Sequence, residues 1–276
     1  MQMADVTTMA DRGSPMQSLN YGALLQDVTE LARQAATAVM GVYESDFEVM
    51  QKSDESPVTQ ADLKAEAIIT PGLRALTPDI PIVAEEAVSQ GDVPTVGDAP
   101  FWLVDPVDGT KEFLSKNGEF TINIGLVVDR QPVLGVVLAP ALDNTLYSGA
   151  KGLGAKRQIG KGLARPIHVR PEPIDGLTVI YSRRHGDPRQ LMDFLGSRRV
   201  TERISAGSSL KFCLVAAGEA DVYPRFGPTH EWDTAAAHAV LTAAGGRVET
   251  VDGSPLLYGK ASFRNSDFVA WGNVKP

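Results

Sequence analysis

The chain has 276 residues, 43% of them apolar, enough for one large core or two modest ones. With 26 Lys and Arg against 34 Asp and Glu, its net charge of −8 and pI of about 5.1 exclude a nonspecific nucleic-acid binder. One cysteine, Cys213 in the apolar stretch Phe212-Cys213-Leu214-Val215, excludes an internal disulfide and reads as core packing in a reducing compartment.

In chain order, residues 1–17 lack the charged start and apolar stretch of a signal peptide and read as a loose tail, and no run reaches the length of a membrane span. From Ser18, the spacing of Leu24, Leu25, Val28, Leu31, Ala32, Ala35 and Val39 predicts an amphipathic helix ending near Gly41. A polar segment, Glu48 to Ser56, follows. Pro57-Val58-Thr59-Gln60-Ala61-Asp62 begins a second helix towards Leu76, interrupted at Pro71-Gly72, with Thr59 and Asp62 in capping-box spacing. Ile82-Val83-Ala84 is a strand that delivers Glu85 and Glu86. Phe101-Trp102-Leu103-Val104 is another, ended by the turn Asp105-Pro106-Val107-Asp108-Gly109-Thr110. Phe120–Asp129 and Pro132–Ala139 form a hairpin joined by Arg130-Gln131, and Leu146–Gly149 adds a strand. Lys151-Gly152-Leu153-Gly154 is a turn, weak as a phosphate loop because no helix pattern follows.

The run of Arg and Pro from Arg165 to Pro173 marks passage into a second domain, giving a tail over 1–17, an α+β domain over 18–165 and an α/β domain over 166–276. There, strands at Leu177–Tyr181 and Arg198–Ile204 alternate with helices at Pro188–Leu195 and from Gly207-Ser208-Ser209 to Ala217. Gly and Ser at a helix start leave N–H groups and hydroxyls for an anion. Tyr223–Pro228 reads as a turn-rich loop leading to Asp233, whose helix ends at Gly245-Gly246. Strands at Arg247–Val251 and Phe268–Trp271 close the chain.

Chemistry concentrates on acids at element ends. Asp105 and Asp108 cannot share a small space unneutralised, and with no Lys or Arg between them a divalent cation supplies the charge. Glu85-Glu86 and Glu231-Trp232-Asp233-Thr234 add two further sources of carboxylate. Each has a plain reading as a turn, a solvated strand end or a helix-start acid. An EF-hand loop fails, because the third, fifth and twelfth residues from Asp105 are Val107, Gly109 and Lys116. The D-x-D-G-T of aspartyl-phosphate phosphatases fails by one extra residue between the acids.

Taken together, the acid pair before a loop, then D-P-V-D-G-T, then W-D-T-A-A-A opening a late helix resemble the magnesium-dependent, lithium-sensitive sugar-phosphatase superfamily that includes inositol monophosphatase, from about Tyr21 to the C-terminus. The resemblance implies a mixed α+β and α/β fold, a layered αβαβα sandwich. It implies two or three Mg2+ ions held by Glu85, Asp105, Asp108, Asp233 and the carbonyl of Val107. It also implies an attacking water oriented by Asp62 with Thr110, beside Glu85, and a mobile hairpin carrying Lys52.

Gly207-Ser208-Ser209-Leu210-Lys211 and Tyr223-Pro224-Arg225-Phe226-Gly227-Pro228 resemble, more narrowly, the bacterial 3′(2′),5′-bisphosphate nucleotidases of the CysQ type, with Arg225 where inositol monophosphatases carry an acid. That implies adenosine 3′,5′-bisphosphate as substrate, with its sulfated relative as a second one. Lys211 and Arg225 would hold the 5′-phosphate, with His185, Gly109, Gly207, Ser208 and Ser209 as further contacts. It implies a cytoplasmic enzyme, monomer or homodimer, without a stable protein partner or nucleic acid, and allows a peripheral position on the cytoplasmic face of the inner membrane. An inositol or sugar monophosphatase on the same scaffold is the alternative, and a noncatalytic metal or nucleotide sensor a remoter one.

Overall fold

The computed structural model describes residues 19–46, 49–51, 57–182 and 188–274. The first half runs α1 (Tyr21–Tyr43), β1 (Val49–Gln51), β2 (Pro57–Thr59), α2 (Gln60–Leu76), β3 (Ile82–Ala84), α3 (Glu85–Ser89), β4 (Phe101–Asp108), α4 (Thr110–Leu114), β5 (Thr121–Val128), β6 (Gln131–Ala139), β7 (Thr145–Ala150), β8 (Gly154–Gln158) and β9 (Arg165–Ile167). The second runs β10 (Leu177–Ser182), α5 (Pro188–Leu195), β11 (Val200–Ala206), α6 (Leu210–Ala216), β12 (Val222–Arg225), α7 (Ala235–Ala243), β13 (Arg247–Thr250) and β14 (Phe268–Trp271).

Strands β3 to β9 form one seven-stranded sheet in chain order, antiparallel except for β3 beside β4. The second sheet has the order β11-β10-β12-β14-β13, while β1 and β2 pair separately. Burial sorts these into five layers. Helices α1 and α2 cover one face of the large sheet through Val28, Leu31, Ala35, Ile69 and Leu73 against Ile122, Ile124, Leu126 and Val136. Helices α6 and α7 lie between the two sheets, and α5 covers the far face of the small one through Leu191 and Phe194. This is the αβαβα sandwich the motifs imply.

Several elements differ from the pattern-based expectations. Pro71 does not break α2. Gly72 packs so close to α1 that a Cβ there would run into Leu31, so interhelix contact carries the helix past the lost N–H. The β5–β6 turn is Asp129-Arg130, both left-handed at φ 51° and 61°, which suits a two-residue hairpin loop. Short strands β8 and β9 lack a clear alternation and extend the first sheet to Ile167. Tyr223–Arg225 lies within a buried strand, with Pro224 opposite Val269 on β14.

The middle seam is made of backbone. Gly125, Gly135 and Gly149 are cross-strand partners on β5, β6 and β7, forming a glycine row under α7, whose sequence Ala-Ala-Ala-His-Ala is itself small. A Cβ on Gly125 would stand 2.8 Å from the Ala236 nitrogen, one on Gly149 3.0 Å from the Ala243 Cβ, and one on Gly135 would overlap the Ala236 carbonyl. From α7, His238 donates through Nδ1–H to the Tyr258 hydroxyl at 3.0 Å, since that hydroxyl gives its own proton to Thr234 at 3.0 Å. Burial of His238 lowers its pKa from 6.5 to about 3.

Gly135→Ala is expected to destabilise the protein by about 3 kcal/mol or more in urea unfolding, whereas Gly41→Ala, in open space on α1, should stabilise by roughly 0.5–1 kcal/mol. His238 stays neutral in the fold down to about pH 3 but protonates near 6.5 when unfolded, so its contribution to stability is full above 6.5 and declines as pH falls towards 3. The acid-side slope is on the order of 1 kcal/mol per pH unit. Comparing His238→Gln with the parent at pH 7.5 and pH 5 should show a smaller loss in the variant.

Candidate active site

A cavity of ≈ 290 Å³ opens between the halves, walled by Glu85, Asp108, Gly109 and Thr110 from the first and by Gly207, Ser208, Ser209, Lys211, Tyr223, Arg225 and Asp233 from the second. Five separate segments therefore converge on it, and strand ends and helix starts supply most of the polar groups.

Asp105 and Asp108 owe their positions to a bulge. Asp105 pairs with Asn123 and Asp108 with Thr121, so two residues, Pro106 and Val107, face the single residue Ile122. The expected turn at Asp105 is instead a strand that continues to Asp108. A bulge is where a strand tolerates a proline, because no ladder N–H is required there. The Asp105 carboxylate accepts the Val107 N–H at 3.0 Å and is buried. Gly109, at φ 92°, then turns the chain into α4. Asp105, Val107 and Asp62 do not line the cavity.

Glu85 sits at the start of α3, whose N–H groups at Glu86 and Ala87 both donate to Glu66 on α2 at 2.9 Å. Glu66 was not singled out by any motif. Its signal was the four-residue spacing from Asp62, which puts both acids on one face of α2. Asp62 accepts the Thr59 N–H at 2.8 Å and the Thr59 hydroxyl at 2.7 Å, so the capping box forms and is buried. Helix α4, which starts at Thr110, packs against β2, the strand that leads into α2.

Asp233 accepts the His230 N–H at 2.9 Å just before α7. Its neighbour Glu231 is fully buried and faces away from the cavity, taking the N–H groups of Gly259 (2.8 Å) and Lys260 (3.0 Å) and the Lys260 ammonium at 2.6 Å. It holds a loop and brings no charge to the cavity. Cys213 is buried and its thiol pKa is raised by desolvation, as expected of a packing residue.

The Gly207-Ser208-Ser209 segment departs from expectation. Its groups are not all open to an anion, because the Gly207 N–H donates to Glu119 at 2.8 Å, and the Ser209 N–H and Ser208 hydroxyl both donate to Asp108 at 2.6 Å. Lys211 is buried too. It donates to the carbonyls of Ala206, at 3.2 Å, and Ser208. His185 and Lys52 lie outside the described residues.

Burial, more than any other cause, raises the Asp108 pKa, and Glu85 adds to it against the Ser208 hydroxyl and Lys211. Burial also lifts Asp233 well above the usual carboxylate range, with Asp108 and Glu85 pushing the same way. Desolvation lowers Lys211 to about 8, although Asp108 opposes the shift. Three acids thus share one field. Among the described residues no three His, Cys, Asp or Glu side chains form a ready-made metal cluster. The donor chemistry nevertheless fits a hard dication, since all the acids offer oxygen and each would be relieved of the others' charge. On the opposite wall Arg225, only 8% exposed, donates through Nη2 to the Pro228 carbonyl at 2.9 Å, and its Nε–H has no partner among the described residues.

Comparison with known proteins agrees with this geometry. Residues 23–273 match the model of the inositol monophosphatase family. The 3′(2′),5′-bisphosphate nucleotidase CysQ of Escherichia coli O6:H1 is 47% identical over 250 residues, 89% of this chain and 98% of that one. The crystal structure of CysQ from Bacteroides thetaiotaomicron superposes with a TM-score of 0.78 at 36% identity, covering 94% of this chain and all (100%) of that one. Inositol monophosphatase from Anabaena gives 0.73 at 27% identity, over 92% and 93% of the two chains. With the family match running almost end to end and a relative 47% identical over 89% of the chain, the chain belongs to the inositol monophosphatase family.

Proposed function

We propose that the protein hydrolyses the 3′-phosphate of adenosine 3′,5′-bisphosphate to adenosine 5′-phosphate and phosphate, with the 5′-phosphosulfate relative as a second substrate. The observation that carries this is Arg225, a buried guanidinium whose Nε–H has no partner among the described residues, in the wall of a cavity whose other side is acidic. A substrate with two phosphates matches both sides, and a guanidinium suits the phosphate that is not cleaved. Lys211 adds a second positive charge near it. The 47% identity to a nucleotidase supports the same substrate class.

Glu85, Asp105, Asp108 and Asp233, with the Val107 carbonyl, are the groups that would hold Mg2+. When bound, the metal supplies positive charge for the scissile phosphate and acidifies water. Thr110, which lines the cavity, would orient the attacking water through its hydroxyl, with Asp62 as the acceptor behind it towards which the proton passes. Gly109 carries the backbone sharply past Asp108 and leaves room for the phosphate. Partial burial of the site, whose Glu85, Asp108, Thr110 and Asp233 are half-buried, strengthens each charge interaction. Among the described residues no helix is long and apolar enough to cross a membrane. We place the enzyme in the cytoplasm, free of nucleic acid and of stable protein partners.

Phosphate release from adenosine 3′,5′-bisphosphate, its sulfated relative, inositol monophosphate and fructose bisphosphate, with and without Mg2+, tests the reading; preference for inositol monophosphate would overturn the substrate. Asp108→Asn should lower turnover by about 10³-fold. Because burial already penalises the charged form of Asp108, the variant should melt no lower than wild type without metal, and Mg2+ should raise the melting temperature of wild type more than that of the variant. Arg225→Gln should cost about 10- to 100-fold in kcat/KM on the bisphosphate and much less on a monophosphate. Equal losses on the two would remove Arg225 from 5′-phosphate recognition.

A further inference from the structure

Every residue of β5 is buried, and from Ile122 to Val128 all but one are apolar or glycine. The exceptions on the strand, Thr121 and Asn123, point with Gly125 and Val127 towards the α6/α7 layer, while Ile122, Ile124 and Leu126 face α1 and α2. Nothing about packing alone calls for polar groups there. Their partners lie across the divide between the halves. The Ser209 hydroxyl donates to Asn123 Oδ1 at 2.7 Å, and the Thr121 hydroxyl touches the Ser209 hydroxyl at 2.9 Å and the Ser208 hydroxyl.

Each serine has one hydroxyl proton, and both are already directed: Ser208 to Asp108 and Ser209 to Asn123. Thr121, whose single proton has the Ser208 and Ser209 oxygens and the more distant Asn123 Oδ1 at 3.3 Å within reach, is therefore the donor in its contact with either serine. The result is an ordered chain in which Thr121 donates to Ser208 and Ser208 donates to Asp108, with charge at its end to strengthen it. Glu119, two residues earlier in the same alternation, takes the Gly207 N–H at 2.8 Å. A Cβ on Gly207 would come within 2.7 Å of the Glu119 carbonyl, so the loop fits only as glycine.

We propose that Thr121 and Asn123 are positioning residues of the reaction: they hold the 207–209 loop of the second half against Asp108 and thereby fix where that carboxylate and the cavity's cationic wall face each other. Neither lines the cavity: Thr121 acts through Ser208 and Ser209, and Asn123 through Ser209 and through its own amide, which donates to the Asp108 carboxylate at 3.5 Å. The inference rests on the phosphatase reading for its effect on rate, but not for the loop contact itself.

The test compares wild type with Thr121→Val, which keeps shape and removes the hydroxyl, with Thr121→Ser, which restores it, and with Asn123→Leu. Activity is measured on whichever phosphate monoester wild type hydrolyses fastest, and amide hydrogen exchange is followed over residues 206–212. Thr121→Val and Asn123→Leu should lose about tenfold in kcat with little change in KM, and should exchange faster over 206–212 while melting within about 5 °C of wild type. Thr121→Ser should recover both readouts. Unchanged exchange and kcat in Thr121→Val, or a Thr121→Ser variant as impaired as the valine, would overturn the assignment. If wild type prefers a monoester other than the nucleotide, the substrate proposal falls while this comparison still decides the role of β5. If it hydrolyses none, the rate role falls too.

Discussion

The close approach of α7 to the large sheet governs everything else. Glycine on three adjacent strands meets alanine on the helix, so the contact is between main chains with no long side chain to yield. Asp233 lies two residues before α7, and Asp108 lies on β4, next to the first of those strands. The separation of two acids more than a hundred residues apart in the chain is therefore set by a rigid seam of small residues. A site built from loops would leave that separation loose, whereas dispersion contacts over the whole helix hold it here.

Against that scaffold the acids are held at a cost in stability. Burial pushes both Asp108 and Asp233 towards protonation, with Glu85 adding to both and Asp108 adding to Asp233, so their charged state is favourable only once positive charge arrives. Cations from the protein do part of this. Lys211 opposes the shift of Asp108 and Arg225 that of Asp233, while Ser208 and Ser209 give Asp108 hydrogen bonds in place of water. The cavity is acidic on one side and cationic on the other, which a molecule bearing phosphate at two ends can satisfy together with hard dications.

Much of this architecture was legible in the residue order because periodicity and chemistry agreed. The helix from Tyr21, the β5–β6 hairpin and the late alanine-rich helix all carry strong local patterns, and the acids that end strands stand out against apolar runs. What was hidden depends on distant partners. Pro224 suggested a turn, yet pairing with β14 keeps Tyr223–Arg225 in a strand. Pro71 suggested a break that contact with α1 overrides. The loop at Gly207 read as open to anions because nothing local reveals that Glu119 and Asp108 occupy its N–H groups. The roles of Glu66 and Glu231 were hidden for the same reason, since each serves backbone N–H groups at least 20 residues away.

The alternation along β5 has a consequence for how the chain finds its native pairing. Were β5 to slip by one position, the hydroxyl of Thr121 and the amide of Asn123 would enter the oily layer beneath α1, and isoleucines would be thrust among serines and carboxylates. Stranding each polar group without a partner costs roughly 1–3 kcal/mol, so the misaligned strand is rejected as the sheet assembles. The same few atoms that tie the halves together thus also proofread the zipper on which the halves are built.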